Sequence, residues 1–296
     1  MTQNINETVQ VKKRSQLSEL WKNYKKNPSA ILGLVIVVVL VAVAIFSHFY
    51  FDYNHDIVEQ HIKQRLQPPS AAHLMGTDHY GRDVLTRVLY GSKYSLSVGI
   101  VSTGIACLIG SVLGLIAGYY GGVLENLILR ITDVFAGIPS ILLGIAVMAA
   151  FGQSTFVLML AIGVVYIPVF ARTARAAVLP IRGLEYIEAA KMACVSDAGI
   201  IFKHVLPNAL SPIIVQTTMG VASGILTASS LSFLGLGVPL PAPEWGAMLS
   251  DGREFIRDYN YLTLFPGLAI MIAVLSFNLM GDGLRDALDP KLKQKR

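Results

Sequence analysis

The segment EYIEAAKMACVSDAGIIFKHVLPN, residues 185–208, is a polar and charged island between two long apolar stretches. Its first part is rich in good helix formers, and small residues with one aromatic recur at helical spacing: Tyr186, Ala189, Ala190 and Ala193. Ser196 followed by Asp197 is an N-cap signal for a second short helix, which is expected to stop at Leu206 and Pro207. The segment is therefore predicted to fold as helix, tight turn, helix.

A helical pair this short is only marginally stable in water, so it needs a packing partner. The helical pair packs either against the ends of neighbouring membrane helices or against another protein. The plain alternative is a cytoplasmic connector that is rich in alanine because alanine favours helices.

The composition of the whole chain places this island in a membrane protein. Of 296 residues, 53% are hydrophobic and only 15% are charged, with a mean hydropathy of +0.56. These values are too apolar for an ordinary soluble domain. The net charge of +5 does not form a basic stripe on a soluble domain, so no nucleic-acid partner is expected. The two cysteines, Cys107 and Cys194, lie in different environments and predict no disulfide.

Six apolar stretches are long enough to cross a bilayer, and an all-α integral membrane protein is predicted. The predicted spans are residues 30–51, 94–119, 124–151, 156–176, 209–233 and 261–280. Between them lie an exterior segment 52–93, a cytoplasmic loop 177–208 and an outer loop 234–258, with 94–286 forming a five-helix transmembrane unit. Basic residues dominate segments 1–29 and 287–296, which predicts that both termini are cytoplasmic.

The island resembles the EAA loop of the membrane subunits of ATP-binding-cassette (ABC) importers, which docks into a groove on the ATPase subunit. The positions that carry this resemblance are Glu188, Ala189, Ala190, Asp197, Leu206 and Pro207. Where the family usually has glycine between the two helices, this chain has Cys194, which fits a left-handed turn less well.

Three further motifs resemble the C-type permease subunit of dipeptide, oligopeptide and nickel importers. They are GTDHYGRD at 76–83, LSFLGLG followed by PAPEWGAML at 231–249, and NLMGDGLRDALDP at 278–290. The resemblance implies the type I ABC importer permease fold in a bacterial cell membrane. It also implies a homologous second permease, two ATPase subunits and an external or periplasmic substrate-binding protein as partners. Peptides are the favoured substrate, and nickel or a metal chelate remains an alternative.

Two other groups of residues are functional candidates. Arg130 and Asp133 lie near the inner end of the third span, where an ion pair, mutual or with another helix, or a role in conformational coupling is expected. Pro139 in the same span favours a kink. In the outer loop, Glu244, Trp245 and Asp251 are a candidate contact for a substrate-binding protein, with interfacial anchoring by the tryptophan as the alternative.

The sequence contains none of the common reactive motifs. It lacks a GxxxxGK[ST] phosphate loop, an HExxH, a GxSxG and a CxxC, and its histidines match no compact metal-ligand spacing. We therefore expect no catalytic residues, no metal and no cofactor, with ATP hydrolysis in separate subunits. The competing class is a self-sufficient secondary transporter or channel, which would favour inverted repeats, interrupted helices or several buried ionisable residues.

Overall fold

The computed structural model describes residues 16–288, and the regular secondary structure of this part is helical, with one isolated antiparallel bridge between Thr77 and Asp83 and non-helical connections between the helices. The predicted basic ends at 1–15 and 289–296 lie outside the described residues. The helices, with their bounds, are α1 Gln16–Tyr24, α2 Pro28–Tyr50, α3 Val84–Tyr120, α4 Gly122–Ala136, α5 Ser140–Phe151, α6 Thr155–Val178, α7 Glu185–Met192, α8 Asp197–Ile200, α9 Leu206–Phe233, α10 Trp245–Gly252 and α11 Tyr261–Leu288.

Five continuous helices are long and apolar enough to cross a membrane. They are α2, α3, α6, α11 and the run Asp197–Phe233, which contains α8 and α9. The third predicted span, residues 124–151, is not one straight helix but the bent pair α4 and α5, which meet at an angle of 89°. The prediction of a kink at Pro139 is thus corrected to a complete break. Pro139 directly precedes α5 and, having no N–H, cannot continue the hydrogen-bond ladder of α4.

Helix α3 begins ten residues before its predicted start at residue 94. Its N-cap is Asp83, whose carboxylate accepts a hydrogen bond from the Thr86 N–H at 2.8 Å. The polar first turns were predicted to be part of the exterior segment, but their side chains are used inside the protein. Arg87, only 2% exposed, donates to the carbonyl of Ile57 at 2.7 Å. The first turns of α3 are thus stabilised by contact with the segment 52–83, which precedes the helix in the chain.

Small residues on one face of α3 bring the central helices together. Gly110, Gly114 and Gly118 face α6, and a Cβ added at Gly114 would lie 2.2 Å from the carbonyl oxygen of Ala171. At this distance only glycine allows the two backbones to approach. Helix α9 packs against both α3 and α6, α11 packs against α9, and α2 lies against α11 and α3.

The exterior segment before α3 is an ordered unit. Asp78 accepts hydrogen bonds from the backbone of Tyr80 and Arg82 and from the Arg82 side chain, at 2.8, 3.0 and 2.7 Å. Thr77 is buried, and the hydroxyl of Tyr261 at the start of α11 lies 2.9 Å from the Thr77 carbonyl oxygen. The motif at 76–83 therefore fixes this segment to the end of the helix bundle.

Candidate functional site

The first helix of the polar island, α7, forms as predicted and lies flat on the ends of other helices. Glu185 and Glu188 occupy its first turn and Lys191 its last, which suits the helix dipole. Only Ile187 on this helix is buried. One face of α7 is thus held against the protein while the remaining faces are free.

The turn after α7 has the left-handed geometry that the sequence comparison suggested. Cys194 has a φ of +55°. The Cys194 N–H bonds to the carbonyl of Lys191 at 3.0 Å, and the Val195 N–H bonds to that of Ala190 at 3.1 Å. This pair of bonds is a Schellman motif, in which glycine is usual at the left-handed position. Cys194 therefore occupies the left-handed position although it fits that position less well than glycine.

The turn leads into α8, which is tied to the end of α3. Ser196 caps the helix by accepting a hydrogen bond from the Gly199 N–H at 3.3 Å. The hydroxyl of Tyr119, in the last turn of α3, donates to the Asp197 carboxylate at 2.8 Å. The Lys191 ammonium lies 5.4 Å from the centre of the Tyr119 ring. Tyr119 thereby links both short helices of the island to the membrane helix.

A small apolar core lies beneath the island. It joins buried residues of the island to the ends of α3 and α6, and its members are Leu115, Tyr119, Val178, Ile181, Ile187, Ile200, Ile201, Val205 and Ala209. Arg182 adds a hydrogen bond to the carbonyl of Gly118 at 2.9 Å. Because these contacts come from two membrane helices, a force on the island is transmitted directly to α3 and α6.

The outer face of the island combines acidic, basic and large apolar side chains. Glu185, Glu188, Ala189 and Lys191 are exposed, and Met192 and Phe202 are 85% and 61% exposed. Tyr186 and Val195 add smaller exposed apolar areas. Apolar anchors among charges are typical of a protein-binding surface. We call this face, formed by residues 185–203, the island surface.

The predicted end of the second short helix at Leu206 and Pro207 is wrong. The chain passes from α8 through a wide π-helical turn, Ile201–Val205, directly into α9. Pro207 lies in the first turn of α9, where the missing N–H is tolerated. The second half of the island is therefore the inner extension of a membrane helix. Asn208, the last residue of the island, donates a hydrogen bond to the Tyr186 hydroxyl of α7 at 3.3 Å.

The candidate pair in the third span is only partly brought together. Asp133 on α4 forms an ion pair with Arg172 on α6 at 2.8 Å, so its partner is on another helix and is not Arg130. The Arg130 side chain is exposed. The pair is exposed on both sides, and such pairs contribute roughly 0–1 kcal/mol. A second link between the same helices joins Glu125 to Arg175.

The outer-loop candidates require a correction. Glu244 and Trp245 are 0% and 1% exposed, so in this structure neither reaches another protein nor the membrane interface. Glu244 caps α10 through the Ala247 N–H at 2.9 Å, and the indole N–H of Trp245 donates to the Val88 carbonyl at 2.9 Å. The PAPEWG motif is needed to anchor α10 on α3. Asp251 is partly buried beside Asp78, His79 and Arg87, and burial raises its pKa.

The sequence interpretation missed several residues that support the island. Tyr119 and Arg182 were not singled out, although both are polar groups at the ends of apolar stretches, which was the available signal. The hydroxyl-rich face of α9 turns out to be packed: Gly220 and Gly224 meet α3, and the Thr227 hydroxyl lies 2.9 Å from that of Tyr166 on α6. Tight packing between helices accounts for this composition.

Comparison with known proteins gives consistent matches along the chain. Residues 110–294 match the family described as binding-protein-dependent transport system inner membrane component, and residues 15–69 match the N-terminal TM domain of oligopeptide transport permease C. A dipeptide transport system permease protein DppC from Alkalihalophilus pseudofirmus is 48% identical over 93% of this chain and 90% of its own length. The DppC protein of Haemophilus influenzae is 42% identical over 95% of this chain and 97% of its own.

A third relative and a solved structure extend the comparison. The glutathione transport system permease protein GsiD of Pectobacterium atrosepticum is 41% identical over 95% of this chain and 93% of its own length. An inward facing MetNI methionine ABC transporter structure aligns with a TM-score of 0.57 at 19% identity, covering 69% of this chain and 97% of the other. At that identity the structural match speaks for the fold, which is that of an ABC importer permease.

Proposed function

The chain belongs to the family of binding-protein-dependent transport system inner membrane components, and on that premise we propose that it is the permease subunit of an ATP-driven peptide importer. The relatives named above carry dipeptide and glutathione transport in their names, and this favours peptides over nickel or a metal chelate. In this proposal the chain has no catalytic residues, and ATP is hydrolysed by separate subunits.

The island surface is the proposed docking site for an ATPase subunit. The observation that carries this is the arrangement of α7, with Ile187 buried and the charged and apolar residues on its other faces exposed. A mere connector would not need Met192 or Phe202 to be exposed. Positively charged residues in the same region, such as Arg172 and Arg175, support a cytoplasmic position for this end of the bundle.

The complete transporter would contain this chain, a homologous second permease, two ATPase subunits and an external substrate-binding protein in a bacterial cell membrane. Closure of the ATPases on ATP would move the island surface, and the apolar core beneath it would pass that movement to α3 and α6. Nucleotide must favour one conformation for this to work, since equal binding to both would shift neither population.

Reversal of one charge tests the docking proposal. In Glu188→Arg, the exposed acidic group is replaced without disturbing the buried Ile187. We expect the ATPase to bind the tagged permease about five- to thirtyfold more weakly, corresponding to roughly 1–2 kcal/mol, with uptake of a labelled dipeptide reduced. The measurement is recovery of ATPase with the tagged chain from membranes solubilised in mild detergent.

Glu254→Arg is the matched control, because Glu254 is also an exposed acid but lies after α10, in the outer loop. It should leave ATPase recovery unchanged. Equal recovery for Glu188→Arg and wild type would argue against docking at α7. Competition of labelled dipeptide uptake by unlabelled dipeptides or by nickel salts decides the substrate class separately.

A further inference from the structure

An apolar groove lies between α2 and α3, two helices that are long and apolar enough to span a membrane. It has a volume of about 290 Å³. Its walls are Val41, Ala44, Ile45 and Phe49 from α2 and Leu96, Ser97 and Ile100 from α3. The lining residues extend from Phe49 back to Val41 on α2 and from Lys93 to Ile100 on α3. The groove therefore runs from the end of α2 into the apolar part of both helices.

The mouth of the groove carries positive charge. Lys93 lies there on α3, and its ammonium is 3.0 Å from Nδ1 of His48 on α2. The mouth thus presents polar groups from two helices, the Lys93 ammonium on α3 and the His48 ring on α2.

Lys93 is not neutralised by an acid. Within residues 19–288, where side chains are described, no carboxylate oxygen lies within 4.0 Å of the Lys93 nitrogen. Besides His48, this nitrogen lies near the rings of Tyr90 and Tyr94, 5.6 and 5.8 Å from their centres. Other cations of the outer segment, such as Arg82, have carboxylate partners. A half-buried cation next to hydrocarbon requires an anionic partner from elsewhere.

The position of Lys93 along the helix fixes the depth of that partner. Lys93 directly precedes the long apolar part of α3, and His48 is two residues from the end of α2. Aromatic side chains surround this level, among them Phe49, Tyr50 and Tyr90, as is usual where a span meets the headgroup region. The charged mouth is therefore at the level of lipid phosphates, and the groove below it is at the level of acyl chains.

We propose that this groove is a binding site for one anionic phospholipid of the outer leaflet, such as phosphatidylglycerol. The phosphate lies against Lys93 and His48, and one acyl chain fills the space between α2 and α3. The charge at the mouth selects an anionic headgroup over a neutral one. The bound lipid acts as a spacer that holds α2 at its observed separation from α3.

Native mass spectrometry of the transporter purified with its partners tests the proposal. Phosphatidylglycerol or phosphatidylcholine is titrated into wild type, Lys93→Gln and Ile100→Trp. Ile100 is 45% exposed, so the indole enters the groove without entering the core. We expect wild type to retain phosphatidylglycerol at least fivefold better than phosphatidylcholine, and both variants to lose that preference.

Two matched controls separate this site from general lipid coating. Lys63→Gln removes an exposed lysine of the outer segment, and Val101→Trp places the same indole on a neighbouring face of α3 outside the groove. Both should bind as wild type does. The proposal is overturned if the two lipids bind equally to wild type, if Lys93→Gln retains the preference, or if Ile100→Trp releases a protein subunit and changes no lipid binding, since the groove would then seat a protein.

Discussion

Replacement of Glu244 by alanine distinguishes a structural role from contact with a binding protein. In the structure, Oε2 of Glu244 accepts a hydrogen bond from the Ala247 N–H at 2.9 Å, which caps α10. Oε1 accepts a hydrogen bond from the Ser95 hydroxyl on α3 at 3.1 Å. The side chain is fully buried, so no water replaces either bond when it is removed.

The expected loss follows from these two bonds. An N-cap contributes about 1 kcal/mol, and a hydrogen bond to a charged group contributes about 1.5–3 kcal/mol. Their sum predicts that Glu244→Ala lowers the free energy of unfolding by about 3 kcal/mol. For a chain of this size that corresponds to a fall in the unfolding midpoint of roughly 6–12 °C.

The assay is thermal unfolding in detergent, followed by tryptophan fluorescence, since the neighbouring Trp245 reports on the same region. Glu244→Gln retains an acceptor oxygen for the cap and should lose about half as much stability. Glu254→Ala changes an exposed acid and should lie within about 0.5 kcal/mol of wild type. An unchanged midpoint for Glu244→Ala, together with weaker capture of the binding protein, would refute the structural role.

Three further changes test other parts of the structure. Cys194→Gly should stabilise the chain by about 0–1 kcal/mol, measured as the unfolding midpoint, because relief of the left-handed strain exceeds the entropy gained by the unfolded chain; impaired assembly would mean that the thiol has another role. Gly114→Ala should cost about 1–3 kcal/mol by forcing α3 away from Ala171, whereas Gly104→Ala, which meets open space, should be neutral or stabilising. Burial lowers the pKa of His79 below its ordinary value of 6.5, so its stabilising contribution is present above pH 6.5 and is lost as the pH falls below it. His79→Asn should flatten the pH dependence of stability between pH 5 and 7, and an unchanged profile would contradict this.

Hydrophobic run length predicted the positions of the membrane helices because the bilayer imposes a minimum length that few soluble segments reach. Local signals also predicted the short helix α7 and the cap at Ser196. Each of these depends on neighbours in sequence. They could be inferred without knowing which elements meet.

The errors arose where distant contacts decide the outcome. The first turns of α3 contain polar residues that suggest an exterior loop, but Arg87 is satisfied by a carbonyl thirty residues earlier in the chain. Glu244 and Trp245 combine a charge and an aromatic, which is typical of a surface contact. Both side chains nevertheless form hydrogen bonds with α3, Glu244 with the Ser95 hydroxyl and Trp245 with the Val88 carbonyl. Neither pairing has a sequence signature.

The third predicted span corresponds to the bent pair α4 and α5, and the size of the bend was not predicted. Its apolar composition is almost continuous, and one proline indicates only a kink. Hydropathy gives the length of an apolar segment but not its direction, and it does not distinguish one crossing helix from two helices at 89°. The break and its angle depend on how α4 and α5 pack against α6.

The length of α3 has a mechanical consequence. Its 37 residues form one helix of about 55 Å, nearly twice the thickness of the hydrocarbon layer. Arg87 anchors the first turns in the outer segment, and Tyr119 anchors the last turn to the island. The helix has no break along its length, so it tilts as one rigid unit. A tilt of about 5° about one end displaces the other end by about 5 Å. A small angular change at the end held by the island therefore becomes a displacement of several ångströms at the far end.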